Sequence, residues 1–220
     1  KKRRWIVRIH SKAPFLSMEG MATKWIADYT VIKNGVVELA PNTDELTGQL
    51  SVAFPFGEFI YLPNIYFPKE IVKPNVNKDD NIIDIGCFGA IRPMKNIYQQ
   101  ALVAIEFAEL LNKELRFHIN SSRLEQSGNN VLKNLQALFQ YSPHKLVEHG
   151  WYGHVDFLKV LATMDVCMQV SLTESFNIVT ADVVSVDRPI VVSKDIEWMP
   201  NFLKATPTSH DDIFKKLNFY

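Results

Sequence analysis

The middle of the chain carries the stretch that decides the fold, Ile82-Ile-Asp-Ile-Gly86-Cys-Phe-Gly-Ala-Ile-Arg92-Pro-Met-Lys-Asn96. Residues 82–88 form a nearly continuous apolar run, which is typical of a strand buried on both faces of a parallel sheet. A glycine turn and two cations follow, and from Ile97 onward apolar residues recur at the spacing of a helix. The stretch therefore predicts a strand, a turn and a crossover helix, the repeating unit of α/β proteins.

The alternation of strand and helix continues outward in both directions. Toward the carboxyl terminus the patterns predict strands at residues 115–119, 146–149, 165–170 and 189–193, with helices around residues 97–111, 130–141, 155–162 and 176–186. Toward the amino terminus they predict strands at residues 5–10, 36–40 and 58–62. A helix over residues 18–32 ends at Asn34-Gly35, and another over residues 43–53 is capped by Asn42 or Thr43. Parallel strands joined by helices predict a doubly wound, Rossmann-like α/β fold.

Residues 63–80 interrupt this pattern. They contain Pro63, Pro68 and Pro74, three lysines and little periodicity, as expected of a connection between two lobes. We therefore expect one lobe over residues 1–66 and a second lobe over residues 67–220.

Composition and charge exclude several classes of function. The 220 residues are 47% hydrophobic and 22% charged, which is typical of a globular protein. The 24 basic residues balance 24 acidic ones, so general binding to nucleic acid through phosphate neutralisation is not expected. No apolar run approaches the roughly 20 residues that a membrane-spanning helix needs. Cys87 and Cys167 lie in apolar runs and predict buried thiols in a reducing, cytoplasmic compartment, while a single disulfide stays open.

The strongest candidate site is the segment Ser171-Leu-Thr-Glu174-Ser-Phe-Asn-Ile-Val-Thr-Ala-Asp182, which follows a predicted strand and opens a helix. The N–H groups and the partial positive charge of a helix start suit a phosphate. Asp182 lies among apolar residues, where a carboxylate needs partners such as ribose hydroxyls. The alternatives are structural, because Ser171 and Glu174 also fit a capping box, and Asp182 could face solvent or pair with Arg188.

A second candidate site is the Gly89 turn with Arg92 and Lys95. The segment lacks both the Gly-x-Gly-x-x-Gly dinucleotide fingerprint and the phosphate loop of ATPases. Two cations near a helix start are unfavourable unless an anion binds there, so they predict a diphosphate site. The alternative is a pair of surface charges.

These two segments, in this order and about 80 residues apart, resemble those of the family-4 glycosyltransferases of the GT-B fold. Residues 88–96 look like that family's glycine-rich, lysine-containing donor-phosphate loop. Residues 171–182, followed by Asp187-Arg-Pro-Ile-Val-Val192, look like its Ser-x-x-Glu-x-Phe-Gly element and its Glu-x7-Glu pair. Residues 147–150 resemble a strand of the donor lobe, and residues 6–11 resemble an acceptor-lobe strand that ends in His.

The resemblance implies transfer of a sugar from a nucleotide-diphosphate sugar with retention, without a metal or other cofactor. It also implies a partial acceptor lobe over residues 1–66 and a nucleotide-sugar donor lobe over residues 67–220. Catalytic roles fall to His10 and Glu174 at the sugar and to Lys95, which with Arg92 would stabilise the leaving diphosphate. Donor-binding roles fall to the two phosphate-loop cations and to Gly89, Ser175, Phe176, Asn177, Ile178 and Asp182, the last on the ribose. Trp151 near the base is our own prediction of a stacking platform, and the alternative is an aromatic core residue.

The sequence departs from the family pattern at two of these positions. Asn177 stands where the family has Gly, which would constrain a backbone that must approach the donor, and Asp182 stands where it has Glu. Such changes also fit weakened catalysis, so a non-catalytic nucleotide- or glycan-binding module stays open, as does a nucleotide-sugar epimerase or a phosphorylase of this fold. Expected partners are the nucleotide-sugar donor and a glycan, lipid or protein acceptor, with no nucleic acid. The basic start of the chain leaves peripheral contact with a membrane open.

Overall fold

A computed structural model of the protein describes residues 3–32, 36–68, 70–75 and 79–220. By its internal contacts the chain divides into two units. The first consists of Lys1–Tyr66 with Thr173–Phe176, and the second of Phe67–Leu172 with Asn177–Tyr220.

The first unit is built on a two-stranded parallel sheet, in which Trp5 lies opposite Val37. Its elements are β1 (Trp5–Ile9), α1 (Ala13–Leu16), α2 (Ala22–Thr30), β2 (Val37–Pro41) and α3 (Asp44–Ala53). Its core consists of buried aliphatic side chains from all five elements, namely Ile9, Leu16, Ile26, Leu39, Leu46 and Leu50. Thr43 caps α3 by accepting a hydrogen bond from the Leu46 N–H, which confirms one of the two predicted caps.

Two predictions for this unit are wrong. The helix expected over residues 18–32 is shorter, because Gly20 lies in the turn before α2, which covers only Ala22–Thr30, and the short helix α1 before it was not predicted. The strand expected at residues 58–62 forms only an isolated bridge between Phe59 and Leu39, and Pro63, which follows residue 62, cannot donate to a ladder. The predicted stop at Asn34-Gly35 lies outside the described residues.

The second unit is a six-stranded parallel sheet with the strand order β5-β4-β3-β6-β7-β8. The strands are β3 (Ile82–Gly86), β4 (Glu114–Asn120), β5 (Lys145–His149), β6 (Val166–Gln169), β7 (Ile190–Ser193) and β8 (Lys204–Ala205). The helices are α4 (Ile97–Leu110), α5 (Gly128–Gln140), α6 (His154–Leu161), α7 (Ile178–Ser185) and α8 (His210–Leu217).

Helices cover both faces of this sheet. On one face Met168 and Val191 belong to a core cluster with residues of α4, α5 and α8. On the other face Cys167 and Val192 belong to a cluster with residues of α6 and α7. Because successive strand residues alternate between the two clusters, the sheet is buried on both sides. The predicted doubly wound, Rossmann-like α/β fold is confirmed.

Three details of the second unit differ from the sequence prediction or go beyond it. Helix α7 begins at Ile178 and not at residue 176, because Asn177 takes a left-handed conformation and caps it. The short strand β8 and helix α8 were not predicted.

Cys87 and Cys167 are buried free thiols, as predicted. In the part of the chain that the structure describes, no helix is both long and apolar enough to span a membrane.

Strand order determines where a ligand can enter this sheet. From β3 the chain continues to β4 and β5 on one side, whereas β6 lies on the other side of β3. The loops after β3 and β6 therefore leave in opposite directions, and the crevice between such loops is the usual ligand site of open parallel sheets.

Candidate nucleotide site in the second unit

A pocket of about 280 Å³ opens at the carboxyl ends of the parallel strands. It is lined by residues of the loops after β3 and β5, of the end of β4 and of helices α6 and α7, namely Gly89, Asn120, Trp151, Tyr152, His154, Phe157, Ile178, Val179 and Asp182. Four of them, Gly89, Trp151, Ile178 and Asp182, are residues that the sequence predicts for donor binding.

Gly89 and Asn120 join two loops of this pocket. Gly89 has a φ of 114°, a conformation that favours glycine. The buried Asn120 side chain accepts a hydrogen bond from the Gly89 N–H at 2.9 Å and donates one to the Gly150 carbonyl at 3.0 Å. One amide thus connects the loop after β3 with the loop after β5. The sequence analysis gave Asn120 no role, although its position directly after the predicted strand at residues 115–119 was an available signal.

Asp182 is paired in the wall of the pocket, and its partner is not the Arg188 that the sequence offered. Its Oδ1 atom lies 2.7 Å from Nε2 of His154, and the carboxylate is buried while the His154 side chain is partly exposed. A buried carboxylate needs such a partner because desolvation without compensation is costly. The pairing of His154 with α7 depends on packing that sequence spacing does not reveal.

Trp151 is half exposed beside the pocket, and it is not a core residue. The Arg123 guanidinium lies 4.9 Å from the centroid of the Trp151 ring, as in a cation–π contact. Glu125 accepts from Arg123 at 2.7 Å and also pairs with Arg92 at 3.3 Å. The predicted diphosphate cation Arg92 is therefore engaged by a carboxylate in this structure.

Lys95 ends the 3-10 turn Pro93–Lys95 and precedes Asn96, which has a φ of 57° and is the residue immediately before α4. Its positive charge acts on the thiol of Cys87, although burial outweighs it and raises the pKa of Cys87 to about 12. Neither Lys95 nor Arg92 is among the described residues that line the pocket.

A buried amide network fixes the start of α7. Gln169 donates to the Phe88 carbonyl at 2.9 Å, and its Oε1 atom accepts from Asn177 at 3.0 Å. Asn177 in turn accepts from the Thr180 N–H at 3.0 Å. The loop after β3, the end of β6 and the first turn of α7 are thereby held together, which positions Ile178 and Asp182.

The remaining predicted residues lie in the first unit. Ser175 donates a hydrogen bond to the His10 carbonyl at 2.6 Å and accepts one from the Asn42 amide at 2.9 Å. His10 is exposed, and partial desolvation followed by the charge of Arg8 lowers its pKa. Glu174, a buried carboxylate, and Phe176 belong to the same unit.

Within the described residues no three His, Cys, Asp or Glu side chains are grouped so that they could hold a metal ion.

Comparison with known proteins relates the chain to other proteins through its structure alone. Comparison with family models gives no match, and comparison with curated proteins gives none either. A UDP-forming α,α-trehalose-phosphate synthase from Burkholderia xenovorans matches with a TM-score of 0.75 and 10% identity, over 99% of this chain and 60% of that chain. A sucrose-phosphate synthase from Thermosynechococcus elongatus matches with a TM-score of 0.73 and 14% identity, over 98% and 58%.

A trehalose-6-phosphate synthase, studied for glycosyl transfer with retention, matches with a TM-score of 0.70 and 11% identity, over 97% of this chain and 59% of that chain. The chain therefore spans about 60% of the length of these structures. At such identities the likeness establishes the fold, which is that of the GT-B glycosyltransferases. The activity has to be argued from the site.

Proposed function

We propose that the second unit binds the nucleotide of a nucleotide-diphosphate sugar, and that the chain is part of a glycosyltransferase that transfers the sugar with retention. The observation that carries this proposal is the pocket at the carboxyl ends of β3, β4 and β5, with the buried Asp182–His154 pair in its wall. Small-molecule sites usually occupy about 300–1,000 Å³. A pocket of about 280 Å³ suits the nucleoside part of such a donor.

The chemistry of the pocket wall supports a ribose and a base. An ionised carboxylate offers about four acceptor positions, so Asp182 can hold His154 and still accept hydrogen bonds from vicinal hydroxyls. Trp151 and Tyr152 present exposed aromatic rings of the kind on which a base stacks. The glycine at position 89 leaves the backbone open to a phosphate, because a Cβ there would contact only Val179, at 3.8 Å.

The proposal assigns the remaining steps to cations and carboxylates, without a metal or other cofactor. Lys95 and Arg92 would stabilise the diphosphate as its charge grows on leaving, and Arg92 would exchange Glu125 for the phosphate. Glu174 would contact the sugar, and His10 would approach it with a neutral imidazole. The acceptor is a glycan, a lipid or a protein, and the reaction takes place in the cytoplasm.

A thermal-shift panel of UDP, GDP, ADP and CMP, with and without EDTA, tests the nucleotide site. Ligand at 100 times its Kd stabilises a protein by about 2.7 kcal/mol, so we expect one nucleotide to raise the melting temperature whether or not EDTA is present. Asp182→Asn should weaken that nucleotide at least tenfold, whereas Asp156→Asn, an exposed carboxylate of α6 paired with Lys159, should not. No shift with any nucleotide would refute the proposal.

Two further variants separate phosphate binding from transfer. Lys95→Ala should weaken the bound nucleoside diphosphate more than tenfold, while Lys133→Ala, an exposed lysine on α5, should leave its affinity unchanged. Glu174→Gln should keep nucleotide affinity and abolish sugar transfer in the full-length protein. Equal affinity of Lys95→Ala and wild type for the nucleoside diphosphate would show that Lys95 is not part of the site.

One observation favours the alternative of a binding module without transfer. The Arg92 guanidinium already pairs with Glu125, which leaves less positive charge for a leaving diphosphate. Nucleotide binding without hydrolysis or transfer of any nucleotide-sugar donor by the full-length protein would favour this alternative.

A further inference from the structure

Asn42 is a buried residue at the carboxyl end of the small sheet in the first unit. Strands β1 and β2 end side by side, with Ile9 opposite Pro41, so His10 and Asn42 are the first residues beyond the sheet. The Asn42 N–H donates to the Ile9 carbonyl at 3.0 Å, which holds the two chain segments together. Asn42 is only 6% exposed, whereas His10 is exposed. Ligands of open α/β sheets bind at the carboxyl ends of parallel strands.

A single hydroxyl proton fixes the orientation of the Asn42 side-chain amide. The hydroxyl of Ser175, a residue of the same unit, lies 2.6 Å from the carbonyl oxygen of His10. A carbonyl oxygen only accepts, so Ser175 donates its one proton to His10. The Ser175 oxygen must then accept from Asn42 at 2.9 Å, so the Asn42 atom that faces it is the amide nitrogen Nδ2. This assignment does not depend on the protonation state of any titratable group.

This orientation leaves the side-chain oxygen of Asn42, Oδ1, as an acceptor that is not used. The atom is buried, and no described residue donates a hydrogen bond to it. Buried polar groups without a hydrogen bond cost free energy and are rare in native proteins. Exchanging the two ends of the amide does not help, because Oδ1 would then face the lone pairs of Ser175. An O–H or N–H group of a bound molecule would supply the missing donor.

The position of Asn42 indicates which molecule supplies this donor. Its neighbours in the unit include His10 and the buried Glu174, the two residues that the proposed function places at the sugar. We infer that Asn42 is a specificity-determining residue, whose Oδ1 atom accepts a hydrogen bond from one hydroxyl group of the transferred sugar. Ser175 is a positioning residue, because it holds the amide so that Oδ1 is available. The inference rests on the proposed function, since it names a contact to the same donor.

Calorimetric affinities of the full-length protein for a nucleotide sugar and for its nucleotide alone test the inference. The probes are UDP-glucose with UDP, ADP-glucose with ADP, and GDP-mannose with GDP. Asn42→Leu keeps a similar size and removes the acceptor. We expect it to bind the nucleotide sugar about tenfold more weakly, which is about 1.4 kcal/mol, and to bind the nucleotide alone as wild type does. The matched control is Asn64→Leu, which should change neither affinity, because Oδ1 of Asn64 already accepts from Arg8 at 2.8 Å.

Donors that lack one hydroxyl group identify the hydrogen bond from the side of the ligand. Among the 2-, 3-, 4- and 6-deoxy forms of the sugar, one should bind wild type about tenfold more weakly than its parent. The same deoxy donor and its parent should bind Asn42→Leu alike, because the two changes remove one interaction. The inference would be overturned, even though the nucleotide binds, if every loss added to that of Asn42→Leu. Equal affinity of Asn42→Leu and wild type for the parent donor would also overturn it.

The stability of the free protein separates a binding role of Asn42 from a structural one. Asn42→Leu removes the hydrogen bond to Ser175, but it also removes a buried acceptor without a partner, so the melting temperature should equal or exceed that of wild type. A clear decrease would show that the amide is already satisfied in the free protein, and it would overturn the inference. Absence of binding by any nucleotide or nucleotide sugar, with wild type fully folded, would instead refute the proposed function and the sugar contact that depends on it.

Discussion

Asn120 holds two loops of the pocket together, and its replacement by alanine tests how much of the site depends on one amide. The variant removes the acceptor for the Gly89 N–H and the donor to the Gly150 carbonyl. Gly89 is buried and Gly150 is exposed. The first group therefore loses its partner inside the protein, whereas water can replace the second.

The two losses differ in size for this reason. A buried donor left without a partner costs about 1–3 kcal/mol, and a hydrogen bond that water replaces costs about 1 kcal/mol. Asn120→Ala should therefore lower the free energy of unfolding by about 2–4 kcal/mol. For a unit of this size, each kcal/mol lowers the melting temperature by roughly 2–4 °C. The expected decrease is about 4–16 °C.

Thermal and urea unfolding followed by circular dichroism measure this effect. The matched control is Asn134→Ala on α5, where an exposed amide donates to the Asn130 carbonyl at 2.9 Å; it should change stability by less than about 0.5 kcal/mol. Nucleotide affinity should fall in Asn120→Ala, because both loops that it joins line the pocket. A melting temperature equal to that of the control would refute the assigned role of the amide.

Three further outcomes follow from single groups in the second unit. Because burial raises the pKa of Cys87 to about 12, its thiol should resist iodoacetamide at about pH 8 while the protein is folded; rapid labelling by mass spectrometry would contradict this. Asp212→Ala should lower the free energy of unfolding by about 1 kcal/mol, since its carboxylate accepts from the Thr206 N–H at 2.8 Å; an unchanged urea midpoint would argue against it. Burial lowers the pKa of His149 in the folded protein. As the pH drops from about 7, the unfolded chain therefore takes up this proton at a higher pH than the folded protein does, and the free energy of unfolding should fall until the pH passes the lowered pKa. His149→Phe should make this acid loss smaller, as urea midpoints at several pH values would show.

The strands of the second unit could be predicted because burial on both faces leaves a simple mark in the sequence. The apolar run at residues 82–88 contains β3, and the run at residues 189–193 contains β7. Helix α8 leaves no such mark, because only Ile213 and Leu217 of its eight residues are buried. In the first unit, residues 58–62 have the composition of a strand, but they form only an isolated bridge to β2, at Phe59.

The same difference applies to the candidate site. Some of its residues can be recognised from their neighbours in the sequence, whereas others depend on contacts between residues far apart in the sequence. Gly89 and Asp182 belong to short segments whose chemistry can be inferred from neighbouring residues. His154 approaches Asp182 from 28 positions away, and Asn120 accepts from Gly89 across 31 positions. Pairs of this kind depend on strand order and register, which one sequence does not reveal.

Asn177 illustrates why a departure from a family pattern has to be judged in the structure. A glycine is expected there because the backbone must turn sharply into α7, and the observed φ of 55° is such a conformation. Asparagine tolerates this region better than other residues with a side chain. Its amide also donates to Gln169 and accepts from the Thr180 N–H, and Gln169 donates to the Phe88 carbonyl in the loop after β3. Asn177 lacks the conformational freedom of glycine, but its hydrogen bonds hold the crevice between β3 and β6 in one shape. Asn177 therefore does not by itself argue against ligand binding at this site. The pairing of Arg92 with Glu125 bears more directly on whether a diphosphate binds there.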